Sequence, residues 1–142
     1  SISFSNTLTE IGNGNFTGNS KITTLVFPES LKKIGNSDFS GLSNLQEVTF
    51  NEGLETISGG AFNNCPLVKN LVLPTTLTSM TNSFYNSVLE TLVMGSESVV
   101  FAQGGTGIAG MSAKNMTIRG GTIKVNAFSG RDNIETVILD EV

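Results

Sequence analysis

Leu8, Leu31, Leu54 and Leu77 recur at one constant step, and three positions on from them Ile11, Ile34, Ile57 and Met80 keep it. A third column follows at Phe16, Phe39, Phe62 and Phe84, its last interval shorter by one. Self-similarity with a period of roughly 20 to 50 residues identifies a repeat architecture before any local propensity is weighed. A single unit of this length has too little area to bury its own leucines and phenylalanines. Stacked units bury them against one another, Leu on Leu and Phe on Phe, and so build one continuous core.

Each unit also carries an apolar triplet of the form L-x-x-L-x-L. The triplets are Ile22, Leu25, Phe27; Leu45, Val48, Phe50; Val68, Leu71, Leu73; Leu89, Leu92, Met94; and Ile134, Val137, Leu139. Their last two members alternate with period two, as a short strand with one buried face requires. With "ISF" at Ile2–Phe4 and "MTI" at Met116–Ile118 added, seven strands are predicted. They begin at Ile2, Leu25, Val48, Leu71, Leu92, Met116 and Val137, in nearly equal steps. That spacing means one strand per coil. At about 4.8 Å per stacked strand the array is a rod or shallow arc roughly 30 Å long. Between the strands the chain is rich in Gly, Asn, Ser and Thr, as in "IGNGNFTGNS" and "ISGGAFNNC". Such stretches turn tightly around an inserted Phe and do not support long helices. Eight of the nine Phe residues fall in the repeat columns, and Phe101 is the exception.

Composition removes several function classes. The net charge is −4 with no run of basic residues, which leaves no electrostatic grip for nucleic acid or anionic lipid. No apolar stretch approaches the roughly 20 residues that span a bilayer. The chain has no His, hence neither the commonest general base nor the commonest metal ligand. Its one Cys cannot form an internal disulfide. An enzyme is therefore disfavoured, and neither a cofactor nor a metal is expected.

With the columns laid out, the segment "LKKIGNSDFSGLSNLQEVTFNEGLETISGGAFNNCPLVKNLVLP", Leu31 to Pro74, resembles the BspA-type leucine-rich repeats, whose pattern is L-x-x-I-x-x-x-A-F-x-x-C-x-x-L-x-x-L-x-L-P. Leu54, Ile57, Ala61, Phe62, Cys65, Val68, Leu71, Leu73 and Pro74 occupy that pattern in turn. The match covers residues 1–94 and returns at Ile123, Ala127, Phe128, Ile134, Val137 and Leu139. The expected fold is a right-handed leucine-rich repeat solenoid. Short parallel strands line one side and irregular returns the other, in a single domain over residues 1–142 of about six coils, with an irregular coil at 95–115. The resemblance implies a surface-exposed or secreted protein used in adhesion, with extracellular-matrix, host or neighbouring-cell proteins as partners and no catalytic residues.

Four features invite a chemical reading. "GGTGIAG", Gly104–Gly110, has the G-x-G-x-x-G spacing of a dinucleotide-binding turn, but that turn needs a strand before it and a helix of several turns after it. Gly110 is followed too soon by the next repeat strand at Met116 for such a helix to fit, so the stretch reads as a glycine-rich return. Cys65 has Leu42 as a repeat equivalent and no His to activate it, which makes it a small core residue. Glu47, Arg119 and Asp140 are scattered along the strand flanks and form no facing carboxylate pair of the kind glycoside cleavage requires.

The outward middle positions of the strands form the remaining candidate. They are Ser3, Val26, Thr49, Val72, Val93, Thr117 and Ile138, flanked by Thr24, Glu47, Asn70, Thr91 and Asn115. This uncharged strip is the expected protein-binding surface, with Val26, Thr49, Val72, Val93 and Thr117 as contact residues. The same residue types also suit strands by propensity alone. The expected function is a non-enzymatic binding or adhesion module at the cell surface or outside the cell. The alternative is a spacer that displays another domain. A solenoid exposes core at uncapped ends, so a longer repeat protein or end-to-end association with another copy is also expected.

Overall fold

The computed structural model describes residues 2–95, 100–101, 112–120, 122–123 and 133–140. Its strands, in chain order, are β1 (Glu10–Ile11), β2 (Thr24–Val26), β3 (Lys33–Ile34), β4 (Glu47–Thr49), β5 (Thr56–Ile57), β6 (Asn70–Val72), β7 (Ser79–Met80), β8 (Val88–Met94), β9 (Val100–Phe101), β10 (Ser112–Ile118), β11 (Thr122–Ile123) and β12 (Thr136–Leu139). Among the described residues there is no helix. Every pairing is parallel and joins one coil to the next.

Six of the seven predicted strands are present, in β2, β4, β6, β8, β10 and β12. The seventh is not: Ile2–Phe4 forms no strand. Side-chain contacts hold it against the next coil. Phe4 stacks on Phe27 at 5.4 Å and meets Phe16 and Phe39 edge-on.

The return side is more regular than its composition implies. β1, β3, β5 and β7 form a second parallel ladder through the Ile11, Ile34, Ile57 and Met80 column, with β9 and β11 paired likewise. Phe101 pairs with Ile123 in that ladder, so it is not outside the repeat. Two further columns hold left-handed backbone: Gly14, Ser37, Gly60 and Asn82, then Gly18, Gly41, Asn64 and Asn86. Gly and Asn reach this region at the least steric cost, which explains why they crowd the turns around each Phe. Coils come close at Gly35, where an added Cβ would collide with the carbonyl group of Gly12.

The core is the expected set of columns. Leu31, Leu54 and Leu77, Ile34 and Ile57, and Phe39, Phe62 and Phe84 are all essentially inaccessible to solvent. The phenylalanine rings stack nearly parallel at 5.1–5.3 Å, and Phe27 and Phe50 meet them edge-on. Buried among these coils is Asp38, whose carboxylate accepts hydrogen bonds from the backbone of Gly35 and Asn15 and from Asn15 Nδ2, all at 2.9–3.0 Å. It pins the first coil to the second.

The main ladder lapses between β4 and β6. Coil three also departs from its neighbours in the turn that follows the strand. In the flanking coils a proline opens this turn (Pro28, Pro74) and a hydroxyl two positions on caps the leucine carbonyl of the preceding coil. Ser30 Oγ donates to Leu8 O at 2.7 Å, and Thr76 Oγ1 donates to Leu54 O at 2.8 Å. Coil three has Asn51 and Gly53 at those two places, and the Asn51 amide supplies the missing cap to Leu31 O at 3.1 Å. Gly53 adopts φ 109°, open to glycine and strained for other residues.

Candidate functional site

In a parallel ladder the residue between two inward side chains must point out. That rule places the sequence-predicted contact residues on one face. Val26 pairs in register with Thr49, Val72 with Val93, Val93 with Thr117, and Thr117 with Ile138. Val26 and Val72 are 58% and 60% exposed, high for valine, and Thr49 is exposed as well. Val93 and Thr117 lie lower, both half-buried between their neighbours. The five residues share one face but not one sheet: Val26 and Thr49 belong to the β2–β4 pair, and Val72, Val93 and Thr117 to the four-stranded sheet β6–β8–β10–β12.

Beside this column runs a polar one, Asn70, Thr91, Asn115 and Thr136, in which Thr91 Oγ1 donates to Asn70 Oδ1 at 2.6 Å. One position further back stand Lys69, Glu90, Lys114 and Glu135. Glu90 N donates to Lys69 O and Glu135 N to Lys114 O, both at 2.8 Å, and Lys114 Nζ lies 3.2 Å from Glu90 Oε2. Leu67 and Val88 add exposed apolar surface close by, where Lys69 Nζ reaches Val88 O. Sequence reasoning missed this rim. The step from Leu71 to Leu92 is shorter, and that from Leu92 to Met116 longer, than the step of the leucine column, so the rim residues fall out of any alignment at one fixed period.

The other candidates dissolve. Gly104–Gly110 lies outside the described residues, but its surroundings are on view. β10 begins at Ser112, almost directly after Gly110, which leaves no room for the helix that a dinucleotide turn requires. Cys65 is 1% exposed, its Sγ directed at Phe39 O at 3.2 Å. Burial pushes its thiol up to about 11, offset only in part by hydrogen bonds from the backbone of Leu42 and Gly41. Of the flanking charges, Arg119 and Asp140 approach to 3.7 Å as an exposed pair, and Glu47 lies in β4 on the other side of the ladder break. Among the described residues no group of three or more Cys, Asp or Glu could hold a metal ion, and no helix is long and apolar enough to cross a membrane.

Comparison with known proteins agrees with this geometry. The family described as BspA type leucine rich repeat region matches residues 1–103 in six copies. A leucine-rich repeat protein from Bacteroides ovatus has a similar crystal structure, with a TM-score of 0.56 and 23% identity over 93% of this chain. The chain corresponds to 29% of the length of that protein. No curated protein matches the sequence.

Proposed function

The chain belongs to the BspA-type leucine-rich repeat family, and from that premise we propose that it is a non-enzymatic protein-binding module of a cell-surface or secreted protein. Repeats of this family are typically surface or adhesion modules and serve as scaffolds for protein interaction. The contact surface is the outward strand column Val26, Thr49, Val72, Val93 and Thr117. The observation that carries this reading is the exposure of Val26 and Val72, apolar side chains held in an uncharged row at strand spacing. Burying such side chains stabilises a complex by about 25 cal/mol per Å² of apolar surface removed from water. The partners are extracellular-matrix proteins or proteins on host or neighbouring cells.

The test is capture of purified matrix and cell-surface proteins by the immobilised chain, beside a Val26→Glu/Val72→Glu/Val93→Glu variant checked by circular dichroism. A contact surface predicts capture that the folded variant loses, because each buried carboxylate lacks a partner charge. Equal behaviour of the two chains would instead favour a spacer whose strand face touches nothing.

A further inference from the structure

The four-stranded sheet β6–β8–β10–β12 carries a charge pattern that strand formation does not require. Its rim reads Lys69, Glu90, Lys114, Glu135, one residue per coil, directly before β6 and β12 and within β8 and β10, with the sign alternating at each step. Lys and Glu are depleted in strands, so Glu90 and Lys114 at the centre of the row do not follow from propensity. A row of four alternating charges is antisymmetric about its midpoint. Rotation by half a turn about an axis parallel to the strands, passing between β8 and β10, brings every charge onto its opposite.

We propose that this face pairs with the same face of a second copy of the chain, as a closed two-fold dimer. The proposal rests on the reading of the outward strand face as a contact surface, and it names the partner. An isologous interface requires that when residue i meets residue j, j also meets i. Laid face to face about this axis, β6 opposes the partner's β12 and β8 opposes the partner's β10. Lys69 then meets the partner's Glu135, and Glu90 meets the partner's Lys114.

The inner columns obey the same operation. Val72 opposes the partner's Ile138, so the two most exposed apolar members of this sheet's column, at 60% and 53%, cover one another. Val93 opposes the partner's Thr117 where the surface lies lower. In the polar column Asn70 opposes the partner's Thr136, and Thr91 opposes the partner's Asn115. Amide and hydroxyl groups both donate and accept, and one such pair, Thr91 on Asn70, already forms within the chain.

Other orientations fail. Keeping the strand order instead of reversing it turns the strands antiparallel, which carries each charged rim to the far end of the partner's strands and leaves its charges without opposite partners. The pattern also stops at the ladder break, since the rim positions beyond it, Thr23 and Gln46, are uncharged. Four strands at about 4.8 Å and four residues at about 3.3 Å give a face of roughly 19 by 13 Å. This is well under the roughly 800 Å² that each partner contributes to a standard interface, so the dimer is weak and depends on concentration.

Sedimentation equilibrium of the full 142-residue chain from micromolar to millimolar concentration, at low and high salt, tests the pairing. A monomer–dimer equilibrium that salt weakens is expected. Lys69→Glu should weaken it about tenfold, because the altered contact occurs twice per dimer and changes from attraction to repulsion. Adding Glu135→Lys should restore it. Within one chain these two residues are three strands apart, about 14 Å, beyond the Debye length at about 0.1 M salt. Each exchange also sets like charges side by side within the chain, so recovery can come only from contact between copies.

A chain that stays monomeric to millimolar concentration overturns the proposal. So does association that grows past the dimer, or association to which Lys69→Glu makes no difference. None of these results touches capture of a foreign protein that Val72→Glu abolishes, so the two readings fail separately.

Discussion

Phe62 is an interior member of the phenylalanine column whose loss should cost far more than that of an outer one. Its ring is fully buried, stacked on Phe39 at 5.3 Å and Phe84 at 5.1 Å, with Phe27 and Phe50 edge-on at 6.2 and 5.5 Å. Truncating a buried Phe to Ala costs about 3–5 kcal/mol. The upper part of that range applies because aromatic pairs add about 0.5–1.5 kcal/mol beyond burial, and four are broken together. A chain of this length has about 7–20 kcal/mol of stability, so Phe62→Ala removes a large fraction of it. Phe16, in the same column, is half-buried and among the described aromatic rings meets Phe4 and Phe39, so Phe16→Ala should cost about half as much. Urea unfolding followed by circular dichroism measures both, with hydrogen exchange to show where protection is lost. In a repeat array each coil leans on its neighbours, so protection should fall first in the coils flanking Phe62. Equal costs at the two positions would refute the account of the core as a stacked column whose interior members count double.

The Cys65 thiol, raised from 9.0 to about 11 by burial, favours the neutral form in the folded chain. Its contribution to stability is therefore complete below about pH 9 and declines as the pH rises from 9 to about 11; Cys65→Ala should remove this decline, read as the difference between the two chains' pH–stability curves. In the turn of coil three, Asn51→Pro alone uncaps Leu31 O, and Gly53→Thr alone forces a β-branched residue to φ 109°, whereas the double variant recreates the neighbouring turns. A double-mutant cycle by thermal unfolding should show the pair less destabilised than the singles predict by at least about 1 kcal/mol, and strict additivity would refute the compensation.

The parts of the fold legible in sequence were those where one residue type recurs at one step. Leu, Ile and Phe do so because an inward position in a stacked coil must be filled by a side chain of constant volume. The second ladder was hidden because each of its strands is very short and contributes one inward side chain, too little for alternation to register. Its Ile column was visible nonetheless, and Phe101 could have joined it as the position one coil before Ile123. The left-handed columns escaped notice for the opposite reason. What repeats there is a backbone conformation, which Gly, Ser and Asn satisfy in turn at Gly14, Ser37 and Asn82. In the turn of coil three, Asn51 and Gly53 depart from the residues of the neighbouring turns but preserve their hydrogen bond from a different atom.

The contact face poses a harder problem of the same kind. Val72, Val93 and Thr117 are what a strand would choose in any case, so their presence alone does not separate a binding surface from a plain one. The information lies instead in residues that strand physics disfavours. Lys69, Glu90, Lys114 and Glu135 join the ladder through backbone hydrogen bonds that fix no side-chain charge, are spaced by unequal loops, and still alternate in sign once the register is known. Alternation within one chain is explained in part by the Glu90–Lys114 ion pair, an exposed contact of the sort worth at most about 1 kcal/mol. That pair does not account for Lys69 and Glu135 at the two ends of the row, and their opposite signs are the feature on which a second copy would act.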